Sequence, residues 1–342
     1  MFGGLLAGVV LLAILSLGLG AFEISIREIL ESLVSPGNET ADVVVWNIRL
    51  PRIVSAVVSG AALGLSGMAM QSLLKNPLAS PFTLGISQGA GFGAAVAIVV
   101  IDLGLSAASG PDSRSVAGVA QGYFLTTMTA FFAFLGAMAA ATVILGLAVL
   151  RQLSTQSVIL AGVALASLFT SGTVLIQYFA TETEIASIVF WTFGDLGRAG
   201  WPEIILITMI FMPVMVFFLA NQWSLNTLLA GDKAALGLGV NVVRLRLSGM
   251  FLAGLLAAMV TAFHGVIAFL GLLAPHIARR IIGPEHSMLM PFSCLIGSLL
   301  LLAADTLGRV LVGSGGLPVG VLTSFLGAPL FLSLLMRRSQ WT

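Results

Sequence analysis

Residues 247–278, LSGMFLAGLLAAMVTAFHGVIAFLGLLAPHIA, form an uncharged run of 32 residues, with Arg244 and Arg246 before it and Arg279 and Arg280 after it. A single helix of that length would reach about 48 Å, well beyond a hydrocarbon core of about 30 Å. The run is therefore expected to hold two shorter helices, broken near His264 and Gly265. Clustered bases mark the cytoplasmic side of a membrane, so both ends of the run are expected on that side, with two crossings between them.

Eight further uncharged windows surround this run: 1–22, 53–74, 76–101, 115–150, 152–181, 204–231, 286–304 and 310–336, each long enough to span. The total expected is about ten transmembrane helices, an all-α, multi-pass protein with both termini cytoplasmic. Composition agrees. Of 342 residues, 58% are hydrophobic and 8% charged, against about 25% charged in a soluble chain, and mean hydropathy is +1.09. Residues 1–342 are expected to be one membrane domain with no sizeable soluble domain. A net charge of +1 gives no basis for a nucleic-acid partner. The single cysteine, Cys294, sits in an apolar run, which leaves no internal disulfide or thiolate metal cluster.

The ten-span arrangement sorts the charges by side. Lys75, Arg151, Lys233, Arg244, Arg246, Arg279, Arg280, Arg337 and Arg338 fall inside with only Asp232 and Glu285, leaving six bases and twelve acids outside. That is the asymmetry of the positive-inside rule. Residues 1–21 lack a basic leading region and have a long apolar stretch, which favours a retained first helix over a signal peptide. Ten spans divide into two five-helix halves, 1–203 and 204–342, and an odd number per half makes any repeat inverted. A loose echo exists: Arg49 and Arg52 precede SGAALG at 59–64, and Arg244 and Arg246 precede SGMFLAG at 248–254. Gly60 with Gly64 and Gly89 with Gly93 have the four-residue spacing of closely packed helices, although the same small residues could line a path. Two segments are too short to span, 185–193 and the Gly- and Pro-rich 313–321, and they read either as re-entrant segments of a translocation path or as outer loops, with Trp191 and Trp201 suited to the interface.

Ion-driven transporters usually keep ionisable groups within their spans, and here the windows contain none, with Asp305 only near the outer end of the ninth. An ion-coupled secondary transporter is thus the weaker reading. His264 and His276 lack metal-site spacing and any paired carboxylate, so an intramembrane enzyme is also weak, and neither catalytic nor metal-binding residues are expected. ATP hydrolysis within the chain is excluded by the missing P-loop, since Lys75 follows Leu74 and Lys233 follows Asp232. If ATP drives the protein, another chain binds it. The longest inner loop, 224–243, holds two helix-forming pieces at 226–230 and 233–236, separated by Gly231 and Asp232 and closed by Gly237 and Gly239. Its leucines and alanines suit either a protein groove or a membrane interface.

Several motifs occur together in order: QSLLKNPLA at 71–79, LGISQGAG at 84–91, LAGV at 160–163, FLGLLAPHIAR at 269–279, ADTLGR at 304–309 and LPVG at 317–320. With them the chain resembles, over nearly its whole length, the permease subunits of ABC importers for iron-siderophore, haem and cobalamin uptake, the FecCD type. The resemblance implies a homodimeric permease in the cytoplasmic membrane carrying a metal chelate, foremost a ferric siderophore, by alternating access. Haem, cobalamin and a molybdate-type oxyanion are the alternatives. It also implies a cytoplasmic ATPase subunit that binds ATP and Mg, with no cofactor in this chain, and an extracytoplasmic binding protein. By residue, it implies binding-protein docking at Arg49, Arg52 and Arg309, where charge-assisted pairs would orient the encounter. ATPase coupling falls on Gly231, Asp232, Lys233, Ala235, Leu236 and Gly237, and an inner gate on Asn76, Pro77, Leu78, Ser154 and Thr155. One departure is Gly316, where many relatives carry glutamate before LPVG.

Overall fold

The computed structural model describes residues 1–20, 24–34, 37, 39–101, 117–150, 155–198, 200–312 and 317–336. Arg114, Arg151, Ser154, Gly316, Arg337 and Arg338 lie outside the described residues, as do 313–316 of the Gly-rich opening. All regular elements described are helices. In chain order the main ones are α1 (Phe2–Gly18), α2 (Ile26–Val34), α3 (Thr40–Leu73), α4 (Ile86–Ile101), α5 (Ala117–Leu150), α6 (Thr155–Phe179) and α7 (Glu182–Thr192). There follow α8 (Trp201–Ala220), α9 (Gln222–Leu229), α10 (Asp232–Gly237), α11 (Val242–His264), α12 (Leu270–Ile282), α13 (His286–Val312) and α14 (Val319–Met336). Six are long and apolar enough to cross a membrane, on α3, α5, α6, α8, α11 and α13. Packed with these six are the shorter apolar α1, α4 and α14 and the thirteen-residue α12.

The central run breaks where its length required. α11 ends at His264, Gly265 turns with φ +76°, and α12 starts after Phe269, which holds φ +64°. At about 20 Å, α12 is too short to cross the core alone. The non-helical link is tolerated because Gly265 and Ile267 are buried in protein and not exposed to lipid.

The bundle is built on α3. It packs against α13, α11, α12 and α8, while α5 packs against α4 and α11. The pairings are reciprocal between halves: α3 lies on α13 as α11 lies on α5, and α4 lies on α5 as α12 lies on α13. The counterpart helices α3 and α11 run antiparallel at the centre. Ser55 Oγ meets His264 Nε2 at 3.0 Å, Ser66 Oγ donates to the Ala253 carbonyl at 2.5 Å, and Arg246 Nε donates to the Leu73 carbonyl at 3.0 Å. Each step along α3 in these contacts is matched by an equal step back along α11. That is the arrangement two inverted halves require.

Small residues set the closest approach. A Cβ added at Gly60 would stand 2.5 Å from the Gly297 carbonyl oxygen, and one at Gly64 would strike the Ser293 carbonyl, so the α3–α13 seam depends on their absence. Gly89 and Gly93 fit against Gly136 and Phe132 of α5 in the same way. Their role in this chain is packing. Gly64→Val is expected to cost about 3 kcal/mol or more, since overpacking here meets backbone and not a yielding side chain. The check is thermal unfolding in detergent, with Gly146→Val, which meets nothing nearby, as the neutral comparison.

Several helices run past their uncharged windows. α3 begins at Thr40 and not at 53, α11 at Val242 and not at 247, and α13 continues to Val312 through Asp305 and Arg309. In these three the nearest bounding charges, Arg52, Arg246 and Asp305, are paired within the bundle, so the helix continues through them.

Candidate functional site

The two ends of the bundle are named outer and inner from the charge asymmetry of the sequence. At the outer end, Asp305 of α13 is completely buried and lies between two guanidinium groups. Arg52 Nε donates to Oδ1 at 2.7 Å and Arg309 Nε to Oδ2 at 3.1 Å. Arg309, one turn beyond Asp305, also donates to the Leu19 carbonyl at 3.0 Å, the Ser16 carbonyl at 3.3 Å and the Ser16 hydroxyl. Arg49 donates to the Leu17 carbonyl. The last turn of α1 thus offers its unpaired carbonyls, the negative end of its dipole, to both arginines. A seven-residue stretch of wider π turn, Val43–Arg49, leads α3 into this cluster.

All three expected docking arginines therefore stand together, but not as free surface groups. Arg49 is 3% exposed, and the side chains of Arg52 and Arg309 are 18% and 10% exposed. Arg52 reaches one more carboxylate, Asp195, at 3.5 Å, on the segment that follows α7.

That segment shows how the short outer pieces meet. α7 starts at Glu182, earlier than the apolar run at 185, because Thr181 and Glu184 form a reciprocal capping box. Trp191, expected at the membrane interface, is instead buried, and its carbonyl accepts from Arg198 at 3.2 Å. Burial lowers the Arg198 guanidinium pKa, and the Asp195 charge opposes this. The Asp195 amide donates to the His264 carbonyl at 2.7 Å, and the Gly320 amide to the Gly194 carbonyl at 3.4 Å. At Gly194, where φ is +71°, a Cβ would strike the Val266 carbonyl. The end of α7, the break after α11 and the start of α14 are thus packed backbone on backbone.

Between α4 and α6 lies a groove of about 470 Å³ lined by Phe82, Thr83, Gln88, Ser167, Thr170 and Ser171 among others. Its polar groups are uncharged. Ser167 and Thr170 donate to carbonyls of their own helix, and Gln88 Oε1 is buried without a hydrogen bond.

At the inner end, α9 and α10 are joined at Gly231, with φ +110°, and closed at Gly239, with φ +80°. The first of these helices starts at Gln222, earlier than the expected 226, directly after α8 ends. Leu225, Leu228 and Ala235 are buried and hold the pair to the bundle. Leu229, Lys233, Leu236, Gly237 and Leu238 are exposed. Asp232 faces the bundle: Oδ1 lies 2.5 Å from Lys75 Nζ and Oδ2 3.1 Å from Arg246 Nη2. The Lys75 hydrogen bond holds the Asp232 carboxyl pKa below its ordinary value, with burial opposing and Arg246 assisting. The tie therefore contributes fully above the ordinary carboxylate pKa and is lost as pH falls through the depressed one.

Beside this tie runs the turn holding Asn76, Pro77 and Leu78. Asn76 Oδ1 accepts from the Leu78 amide at 2.9 Å, and Leu78 is exposed. Thr155 opens α6, and of its side chain nothing is described. Two features escaped the sequence reading. His286, fully buried, bridges Asn226 and Ser72, and Gln71 of the QSLLKNPLA motif ties α3 to α12 through the Leu272 carbonyl at 3.1 Å. No group of three or more metal-ligating side chains occurs among the described residues.

Comparison with known proteins covers the whole bundle. The FecCD transport family model matches residues 8–337. The chain is 46% identical to an ABC transporter permease protein of Methanocaldococcus jannaschii, over 97% of this chain and 93% of that one. It is 36% identical to the hemin transport system permease protein of Yersinia pestis, over 99% and 96%. Relatives at 33–35% identity are permeases of Fe(3+)-citrate, molybdate and vitamin B12 import systems. Among solved structures, a metal-chelate type ABC transporter in an inward-facing conformation superposes with a TM-score of 0.78 at 31% identity, covering 98% of each chain.

Proposed function

The chain belongs to the FecCD transport family and is a multi-pass permease subunit of an ABC importer, and from that premise we propose that its cargo is a metal chelate, specifically a ferric siderophore. The observation that favours a chelate over an oxyanion is the uncharged groove between α4 and α6; the choice of ferric siderophore among chelates rests on the family resemblance. A chelate encloses its metal's charge within its own ligand, so hydroxyls and an amide suffice to line its path. A bare oxyanion such as molybdate calls for cationic or amide-rich contacts, which that lining does not offer.

The remaining parts follow from the same premise. The protein sits in the cytoplasmic membrane with both termini inside, as the charge asymmetry favours. A second copy covers the outward face of α6, of whose spanning window only 6% is buried within one protomer. ATP and Mg are bound and ATP hydrolysed by a separate cytoplasmic subunit, which receives α9 and α10 at Gly231, Asp232, Lys233, Ala235, Leu236 and Gly237. The inner gate includes Asn76, Pro77, Leu78, Ser154 and Thr155. An extracytoplasmic binding protein docks at the end that holds Arg49, Arg52 and Arg309. This chain does no covalent chemistry.

Cells lacking other permeases of this kind, given the chain with its ATPase and binding protein, are expected to take up radio-iron as ferric siderophore, with little competition from excess hemin, cobalamin or molybdate. Uptake of one of those three and not of ferric siderophore would overturn the cargo assignment. In proteoliposomes, Arg52→Gln, which leaves Asp305 paired with Arg309, is expected to lower the ratio of binding-protein-stimulated to basal ATPase activity while the variant still unfolds cooperatively. An unchanged ratio would remove the docking role.

A further inference from the structure

We propose that the last turn of α3 is the transmission element of this permease, carrying movement of the α9–α10 segment to the inner turn at 76–78 through two polar links, Asp232 to Lys75 and Asn226 to His286 to Ser72. The proposal rests on the reading that an ATPase subunit grips α9 and α10. It concerns positioning residues, since none of these groups is placed on the cargo's path.

The first link acts on the backbone. α3 ends in a Schellman cap: the Asn76 amide donates to the Gln71 carbonyl at 3.1 Å and the Lys75 amide to the Ser72 carbonyl at 3.3 Å. Such a cap needs a left-handed residue, for which glycine is the usual choice, yet the position is held by Lys75 with φ +47°. A lysine there carries a conformational cost that a glycine would not. What the lysine adds is reach: its ammonium lies 2.5 Å from Asp232, the first residue of α10. Arg246 meets the same carboxylate and, at 3.0 Å, the Leu73 carbonyl of the same α3 turn. The residue that aims the chain into Asn76-Pro77-Leu78 is therefore fastened directly to α10.

The second link acts one turn away. His286 Nδ1 lies 2.7 Å from Asn226 Oδ1 of α9, its backbone amide donates to the same oxygen at 3.0 Å, and Nε2 lies 2.8 Å from Ser72 Oγ of α3. The ring is fully buried, so it has no water to exchange these partners for. Adjacent Gln71 fixes the turn to α12 through Leu272, and Arg279 Nη1 donates to Gln71 Oε1 at 3.2 Å. Both helices of the inner segment are thus tied to the end of α3, α9 at Ser72 through His286 and α10 at Lys75 just past the last turn, immediately before the gate turn. A displacement of α9 and α10 as a unit cannot leave that turn in place without breaking buried or charge-assisted hydrogen bonds.

Lys75→Gly separates this role from a structural one. Glycine takes the left-handed cap without strain, so a purely structural lysine would be replaced with no loss, whereas a transmitting one would not. The readout is the labelling rate of Leu78→Cys by a membrane-impermeant maleimide, in the complex with its ATPase subunit, with and without vanadate-trapped ATP. Cys294 is buried and serves as the internal background. In the otherwise native chain the rate is expected to change by about threefold or more on trapping, the size of coupling that one residue can carry between sites. In Lys75→Gly and in His286→Ala, with the ATPase subunit still co-purifying, most of that change is expected to vanish. A full nucleotide-dependent change in Lys75→Gly would overturn the Asp232 link even if His286→Ala does not fold. Absence of any change in the native complex would overturn the transmission role, and failure of the native chain to hold an ATPase subunit would overturn the functional reading beneath it as well.

Discussion

Asp305→Ala is expected to cost about 3–5 kcal/mol of folding stability, because it leaves two guanidinium groups facing one another with no carboxylate between them. Asp305 is completely buried, and Arg52 and Arg309 approach its two oxygens at 2.7 and 3.1 Å. Breaking such a pair from one side removes the attraction while leaving the desolvation cost of the charges that remain. A typical domain has only about 5–15 kcal/mol to lose, so little folded Asp305→Ala protein should survive solubilisation. Asp195→Ala is the instructive comparison. It removes a carboxylate from the same Arg52, but at 3.5 Å and with its side chain 41% exposed, where an ion pair contributes under about 1 kcal/mol. Thermal unfolding of both variants in one detergent checks this; equal shifts would mean that burial does not set the strength of the network.

The same cluster explains what the sequence made legible. The break at His264 was readable because 32 uncharged residues cannot form one span and arginines bound both ends, and neither fact depends on distant contacts. The pair of short inner helices was readable because Gly231 and Gly239 punctuate it locally, and both take positive φ. The start of α3 was not. Cutting the chain at its charges assumes that a charge ends a span, but Arg52 is neutralised by Asp305, 253 residues away. Nothing local announces such a partner. His286 was passed over for the same reason: its partners, Asn226 and Ser72, lie 60 and 214 residues away. Trp191 followed an interfacial propensity that packing against the α11 break overrode. The families of contacts that escaped are those in which a polar residue is made tolerable only by tertiary structure, and these are concentrated at the two ends where the permease is proposed to meet its partners.

Leu236→Asp together with Leu238→Asp is expected to weaken the grip of the ATPase subunit by at least about 100-fold. The two leucines are 58% and 70% exposed on the ridge formed by α10 and the turn after it, while Ala235 just before them is buried against the bundle. Burying a leucine in a partner's groove contributes about 1.5–3 kcal/mol, so losing two amounts to about two decades of affinity or more. The added carboxylates would also have to be desolvated without a partner. The fold itself should tolerate the pair, because neither side chain supports the core. The test is whether the ATPase subunit still co-purifies with the variant, and at what dissociation constant, alongside an unfolding curve that matches the native one. A native-like dissociation constant would show that this ridge is not the docking surface, and the exposed leucines would then belong to the membrane interface. Asp232→Ala should behave differently: the ridge remains apolar and the ATPase stays bound, but the segment loses its fastening to Lys75 and Arg246. Retained binding with impaired transport in that variant would separate holding the motor from responding to it.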